Sequence, residues 1–348
     1  MNKGTYIIGE IGQNHNGDIE LAKKLIDMIA MPIYDAFSKA MLPGINAVKF
    51  TKRDLSEELS REEAARPYDS PNSFGATYGE HRAKLEFDYE QYPELEAYTR
   101  SKGLDFVVTL CSPKTLRLLD FVTIDRIKIA SRDLANIPLL ERIAETRIPI
   151  ILSTGMAGTK EIDDALAIIT RHHSDIAILH CISEYPAQYK HIDLRTIETL
   201  RDKYGDRFEI GYSDHSIGIM VPVLAVGLGA TIIEKHVTLS RAMKGSDHAG
   251  SLEMDGVWRM VRDIRNAEQA LGCAEIRVHE AVQGAMKKLR RSVAIKRGLE
   301  VGEVLRESDL TMLSPGTGLG WEQRTALIGK KARRRIPEQS LLAIDMFE

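Results

Sequence analysis

The first 240 residues carry eight short Val- and Ile-rich runs: TYIIGEIG (5–12), NAVKF (46–50), DFVVTLCS (105–112), RIKIAS (126–131), IPIILSTG (148–155), IAILHCIS (176–183), FEIGYSDH (208–215) and TIIEKHVT (231–238). Most are continuously apolar, as parallel strands covered on both faces are, and helical patterns such as LAKKLIDMIA (21–30) and IPLLERIAET (137–146) separate them. Eight strand–helix pairs in about 250 residues predict an α/β chain folded as a (β/α)₈ TIM barrel. The rival is a doubly wound sheet, which wants a Gly-rich phosphate turn after its first strand; GEIGQNHNG lacks the GxGxxG spacing.

The pattern implies a catalytic domain over residues 1–272 that ends on the eighth helix, 254–272, then a polar linker at 273–291. Residues 292–348 have short strands and Gly-rich turns, a small β-rich unit near the lower size limit for folding alone. One connection stands out: about 55 residues separate the second and third strands, far beyond ordinary loop length, so a lid or binding segment is expected there.

A net charge of −3 leaves no basic field for nucleic acid or an anionic membrane. Nothing approaches the ~18 apolar residues of a bilayer span, and the N-terminus lacks the build of a signal peptide. Cys111, Cys181 and Cys273, odd in number and widely spaced, fit a reducing compartment. The expected location is the cytoplasm.

Barrel chemistry is built at the carboxyl ends of the strands. There the runs place Glu10, Lys49, Thr109, Lys128 with Ser131, Ser153, Ser183, His215 and His236. A lone strand lysine is ordinarily solvent-facing, but two lysines and three serines at one barrel depth suit a small dianion such as a phosphate ester. His215 and His236 end adjacent strands and can converge on a divalent metal with positions left for substrate, or form a hydrogen-bonded structural pair. Spacing alone leaves both open. Asp247 and His248 follow in KGSDHAGSL (244–252), close to the same mouth or in a plain turn.

GEIGQNHNGD (9–18), AVKF (47–50), KIASRDLANIPLL (128–140), ILSTGM (151–156), LHCISEYPAQ (179–188), GYSDHSIG (211–218), EKHVTL (234–239) and GSDHAGSLE (245–253) together resemble the sialic (nonulosonic) acid synthase family. The C-terminal piece is similar to the antifreeze-like (SAF) domain that closes those enzymes. The resemblance implies a transferase that adds C3 of phosphoenolpyruvate to an open-chain, N-acetylmannosamine-type aldose and releases phosphate. It assigns His215 and His236 to the metal, manganese first, with magnesium or cobalt as alternatives. Lys49, Thr109, Lys128, Ser131, Ser153 and Ser183 fall where the family holds phosphoenolpyruvate, and Glu10, Asn72, Tyr185 and Asp247 where it holds the sugar. Asp133 falls where a carboxylate orients water, and the domain-swapped homodimer of the family is the expected assembly. One departure concerns Leu313-Ser314-Pro315-Gly316: Ser314 stands where many members carry an arginine that contacts the acceptor's N-acyl group. Related acids (Kdn, legionaminic, 9-phosphate forms), other phosphoenolpyruvate-dependent ulosonate synthases and a barrel sugar-phosphate aldolase are the alternatives within enzymes. A carbohydrate- or ice-binding protein on an inactive barrel is the alternative outside them.

Overall fold

A computed structural model describes residues 4–348, which divide after Gly272 into two compact units. In the first, eight parallel strands form a closed barrel: β1 (Tyr6–Gly12), β2 (Ala47–Lys52), β3 (Asp105–Leu110), β4 (Arg126–Ile129), β5 (Ile150–Ser153), β6 (Ile176–Cys181), β7 (Glu209–Asp214) and β8 (Ile232–His236). Closure runs through β1 against β8, where Glu10 pairs with His236, so the open edges of a doubly wound sheet are absent from it. Each predicted run is a strand. The run at 126–131 ends early because Ser131–Asp133 turns into a 3₁₀ helix.

The side-chain period of two explains where the site lies. Ile8, Ala47, Val107, Ile151, Ala177, Leu179 and Ile232 form one fully buried cluster that plugs the barrel interior. Their neighbours Val48, Phe50, Phe106, Val108, Ile127 and Ile129 belong instead to the core beneath the helices. Two residues further along their strands from the plug come Glu10, Lys49, Thr109, Ser153, Cys181 and Glu234. A polar layer therefore rests on an apolar floor.

Helix packing is local and regular. Asp18 caps the helix Ile19–Ile29 by accepting from the Glu20 and Leu21 amides at 2.8 and 3.1 Å. Its buried Ala22, Leu25, Ile26 and Ile29 form the inward stripe. Gly9 is required beneath it: a Cβ there would come within 2.8 Å of Ile29.

The long connection after β2 is mostly helical, with segments Leu55–Glu58, Arg61–Ala65, Tyr78–Lys84 and Tyr92–Ser101. The Thr77–Glu80 capping box starts the third of these, and Tyr68 and Tyr78 amides bond back to Ala76 and Arg66 carbonyls, folding the segment on itself. A hairpin, Ile33–Asp35 with Ala40–Leu42, precedes β2 and was not legible as strands.

The second unit has its own core around Val293, Ile295, Leu299, Leu305, Leu310 and Leu327, under antiparallel strands Ser292–Ile295 and Leu310–Leu313. Within 273–291, the stretch expected as a linker, lies a helix, Gln283–Leu289. The 314–316 loop bonds to it: Gly316 N donates to Lys287 O at 3.0 Å and Ser314 Oγ to Leu289 O at 3.3 Å. No helix among the described residues is long and apolar enough to cross a membrane.

Candidate active site

A cavity of about 610 Å³ opens at the carboxyl ends of the barrel strands. It brings together Glu10, Lys49, Thr109 and Lys128 with Ser131, Ser153, Ser183, Tyr185, His215, His236 and Asp247. Two further predicted residues do not line it. Asn72 sits on the long connection and accepts from the Gly245 amide at 3.3 Å, so it lies beside the Asp247 loop. Asp133 is buried behind the wall, 3.2 Å from Arg132 Nε and 3.4 Å from Asn136 Nδ2.

The floor is an ion network. Lys49 Nζ lies 3.0 Å from Glu10 Oε2, 3.4 Å from Glu234 Oε2 and 3.1 Å from Thr109 Oγ1. Glu234 also accepts from Lys128 at 2.9 and 3.1 Å and from Ser213 Oγ at 2.8 Å. Burial favours the neutral form of Glu234, but the two ammonium groups outweigh it and hold the carboxyl well below its usual range. Glu10 pairs directly with Lys49 and is repelled by the Glu234 carboxylate. Burial, with that repulsion, outweighs the lysine, and the Glu10 carboxyl is pushed up to about 7. Lys49 is raised, because its two carboxylates overcome burial, whereas Lys128 is lowered by burial that Glu234 only partly offsets.

Beside the lysines is an anion cradle. Ser153 Oγ is buried without a hydrogen-bond partner, and Ser131 Oγ accepts from the Gly155 amide at 2.9 Å. A Cβ on Gly155 would stand 2.6 Å from Ser183 Oγ, so only glycine leaves that hydroxyl its place.

On the β7–β8 side the two imidazoles converge, ring centroids 5.5 Å apart. His215 Nδ1 donates to the Ile182 carbonyl at 2.8 Å, a bond that leaves the Nε2 lone pair free. Burial lowers the pKa of His236, keeping it neutral, and its Nδ1 is buried without a partner. Behind them the fully buried pair Lys235–Asp214, 2.5 Å apart, clamps the turn that carries His215: Asp214 accepts the Ser216 amide at 3.0 Å and the Tyr212 hydroxyl at 2.9 Å. Tyr185 covers the His215 ring at 4.0 Å. The chemistry and tautomers of this pair fit a divalent cation. Among the described residues no cluster of three or more His, Cys, Asp or Glu forms a denser ligand set.

Several lining residues were missed by reading the sequence. Glu234 had a signal, since it is two residues before His236 on one strand and must share its face. Arg53, Arg82, Arg132, Tyr68, Tyr78 and His81 also line the cavity, from turns and the long connection, where no period marks orientation.

Fold and cleft define the class: a (β/α)₈ barrel whose buried lysines, hydroxyls and paired imidazoles meet at the carboxyl ends of its strands. A model of the NeuB family matches residues 37–276, and one of the SAF domain matches residues 290–348. The chain is 33% identical to the human N-acetylneuraminate-9-phosphate synthase, over 99% of this chain and 92% of that protein. It is 32% identical to the N,N'-diacetyllegionaminic acid synthase of Legionella pneumophila, over 99% and 94% of the two chains. A crystal structure of the N-acetylneuraminic acid (sialic acid) synthetase of Leptospira borgpetersenii in complex with citrate superposes with a TM-score of 0.68 at 33% identity, covering 82% of this chain and 91% of that one. The protein belongs to the NeuB family of nonulosonic acid synthases and ends in a SAF domain.

Proposed function

We propose that this protein condenses phosphoenolpyruvate with an open-chain N-acetylmannosamine-type aldose and water, giving a nonulosonic acid and inorganic phosphate. The observation that carries the reading is the buried pair Lys49 and Lys128 beside the unpartnered Ser153 hydroxyl, in one cavity with the imidazoles of His215 and His236. Lys49, Thr109 and Lys128 would hold the anionic groups of phosphoenolpyruvate, with Ser131, Ser153 and Ser183 on its phosphate. His215 and His236 would hold the divalent cation, manganese first and magnesium or cobalt as alternatives, which when bound polarises the aldehyde oxygen as a Lewis acid.

The new bond joins C3 of the enol to the aldehyde carbon. Water adds at the resulting C2 cation, and the C2–O bond to phosphate breaks to leave the 2-keto acid. Glu10, protonated near neutrality, is the group in reach to hold the proton that the aldehyde oxygen gains. Tyr185, Asp247 and Asn72 border the space above and would orient sugar hydroxyls. Asp133 would act on the water through its neighbours rather than by lining the cavity.

The relatives are named for different acids, and Ser314 lacks the guanidinium that the family resemblance associates with an N-acyl group. The proposed assembly is a two-fold dimer in which each SAF domain completes the partner's site. Phosphate release with phosphoenolpyruvate plus mannose, N-acetylmannosamine, their 6-phosphates or 2,4-diacetamido sugars tests the reading: release must require both substrates. Release without an aldose, or with none of them, overturns it.

A further inference from the structure

Beneath the helices, where a parallel barrel carries apolar side chains, the two strands that end in the imidazoles carry charges. The outward row at β8 reads Ile233, Lys235, Val237, and that at β7 reads Ile210, Tyr212, Asp214. The other four members belong to the main core. Lys235 and Asp214 are register partners on the adjacent strands, and neither side chain is exposed to solvent. Each is also the chain neighbour of one imidazole, Asp214 of His215 and Lys235 of His236.

Folding stability does not account for this pair. Taking two charges out of water costs about as much as their attraction returns, and apolar residues of the same volume often serve a core as well. What apolar residues cannot do is hold a backbone by directed bonds. Both oxygens of Asp214 are fully used. Oδ2 accepts from Lys235 Nζ at 2.5 Å and Ser216 Oγ at 3.1 Å, and Oδ1 accepts from the Tyr212 hydroxyl at 2.9 Å and the Ser216 amide at 3.0 Å. Lys235 Nζ donates in addition to the Ser216 carbonyl. The residue after His215 is thus bound through its amide, its hydroxyl and its carbonyl. The His215 carbonyl in turn accepts the Ala187 amide at 2.9 Å, which carries the restraint to the segment whose Tyr185 covers the ring.

His236 depends on its backbone more than His215 does. The Nδ1 of His215 donates to the Ile182 carbonyl, whereas the Nδ1 of His236 has no partner. No hydrogen bond through that nitrogen orients the His236 ring, so its place follows from where β8 ends.

We propose that Asp214 and Lys235 are positioning residues for the cation site: a buried tie between the ends of β7 and β8 that fixes the separation of the two imidazoles and so sets the affinity for a divalent metal. The inference rests on the reading above, in which His215 and His236 hold the cation.

The test measures manganese binding to the full chain by calorimetry, beside thermal melts and steady-state phosphate release. Asp214→Asn should weaken manganese binding by about 10- to 100-fold, the range for loss of a partner behind a metal ligand. It also leaves the Lys235 charge buried and unpaired, which lowers the melting temperature by itself. Two further variants separate the effects. In Asp214→Leu with Lys235→Met the melting temperature should return toward the wild-type value while the loss of manganese affinity remains. Tyr212→Phe keeps the ion pair and removes one bond to Asp214. It should weaken manganese binding by about fivefold, the worth of one hydrogen bond, with KM for phosphoenolpyruvate unchanged. Wild-type manganese affinity in either of these variants overturns the proposal, because the pair then serves the core alone. If the double variant does not fold, Tyr212→Phe decides. A wild-type protein that binds no manganese, or a His236→Ala chain that binds it as tightly, defeats the cation reading itself and this proposal with it.

Discussion

Lys128 Nζ donates to both carboxylate oxygens of Glu234, at 2.9 and 3.1 Å, inside the barrel where the two side chains are 3% and 5% exposed. Since Lys49 leans on the same carboxylate, Glu234 is the counter-ion of two buried ammonium groups. Glu234→Gln removes that charge and leaves the lysines facing each other. It should lower the unfolding free energy by about 3 kcal/mol, the size seen when a buried ion pair loses one member. Phosphoenolpyruvate should then raise the melting temperature of the variant more than that of the wild type. Urea unfolding with and without ligand checks both, and an unchanged midpoint would refute the role.

Lys128→Ala should raise KM for phosphoenolpyruvate by about 10- to 100-fold, because an ammonium–phosphate contact is lost from a site shielded from water. KM for the aldose should move much less. Steady-state kinetics with each substrate varied decide it, and the reverse pattern would show the two substrates exchanged.

Chelation should abolish turnover, and added manganese should restore it. Manganese binding by calorimetry should weaken by at least about tenfold in His236→Ala while the melting temperature stays near that of the wild type. Full activity in a metal-free sample would defeat the assignment.

His15 stacks on Phe87 at 4.0 Å, and its Nδ1 accepts the Gly17 amide at 3.0 Å, a bond that a protonated ring loses. Burial, reinforced by Arg53, depresses its pKa to about 3. A depressed folded pKa means stability is fully present above the unfolded value near 6.5 and is lost as pH falls toward 3. From pH 7.5 to pH 5 this group should cost about 2 kcal/mol. Denaturant melts at the two pH values should show that loss in the wild type and a shallower one in His15→Gln.

If the SAF domain serves the partner's barrel, a His236→Ala chain mixed with a chain truncated after Gly272 should recover activity, because one intact barrel then meets one supplied cap. Gel filtration and phosphate release on the mixture test this together. A fully active monomer would rule it out.

Residue order alone determined the barrel and its polar layer. Apolar runs of strand length between helical patterns admit few closed packings, and a period of two obliges Glu10 to share a face with Ile8, Lys49 with Ala47 and Glu234 with Ile232. The same rule put His215 and His236 at the mouth. Tertiary structure decided which charges meet. Glu234 answers Lys128, 106 residues away, across the barrel interior, a contact that exists only when the sheet closes. Arg53, Arg82 and Arg132 come from three segments without a shared period, and the folding of the long connection over β2 and β4 makes them one wall. Asp133 shows the converse: its neighbour Ser131 faces the cavity, but the 3₁₀ turn between them carries the carboxylate behind the wall. Strand periodicity is a local property that the chain carries along its length, whereas pairing of buried charges is set by distances that only closure of the barrel brings within reach.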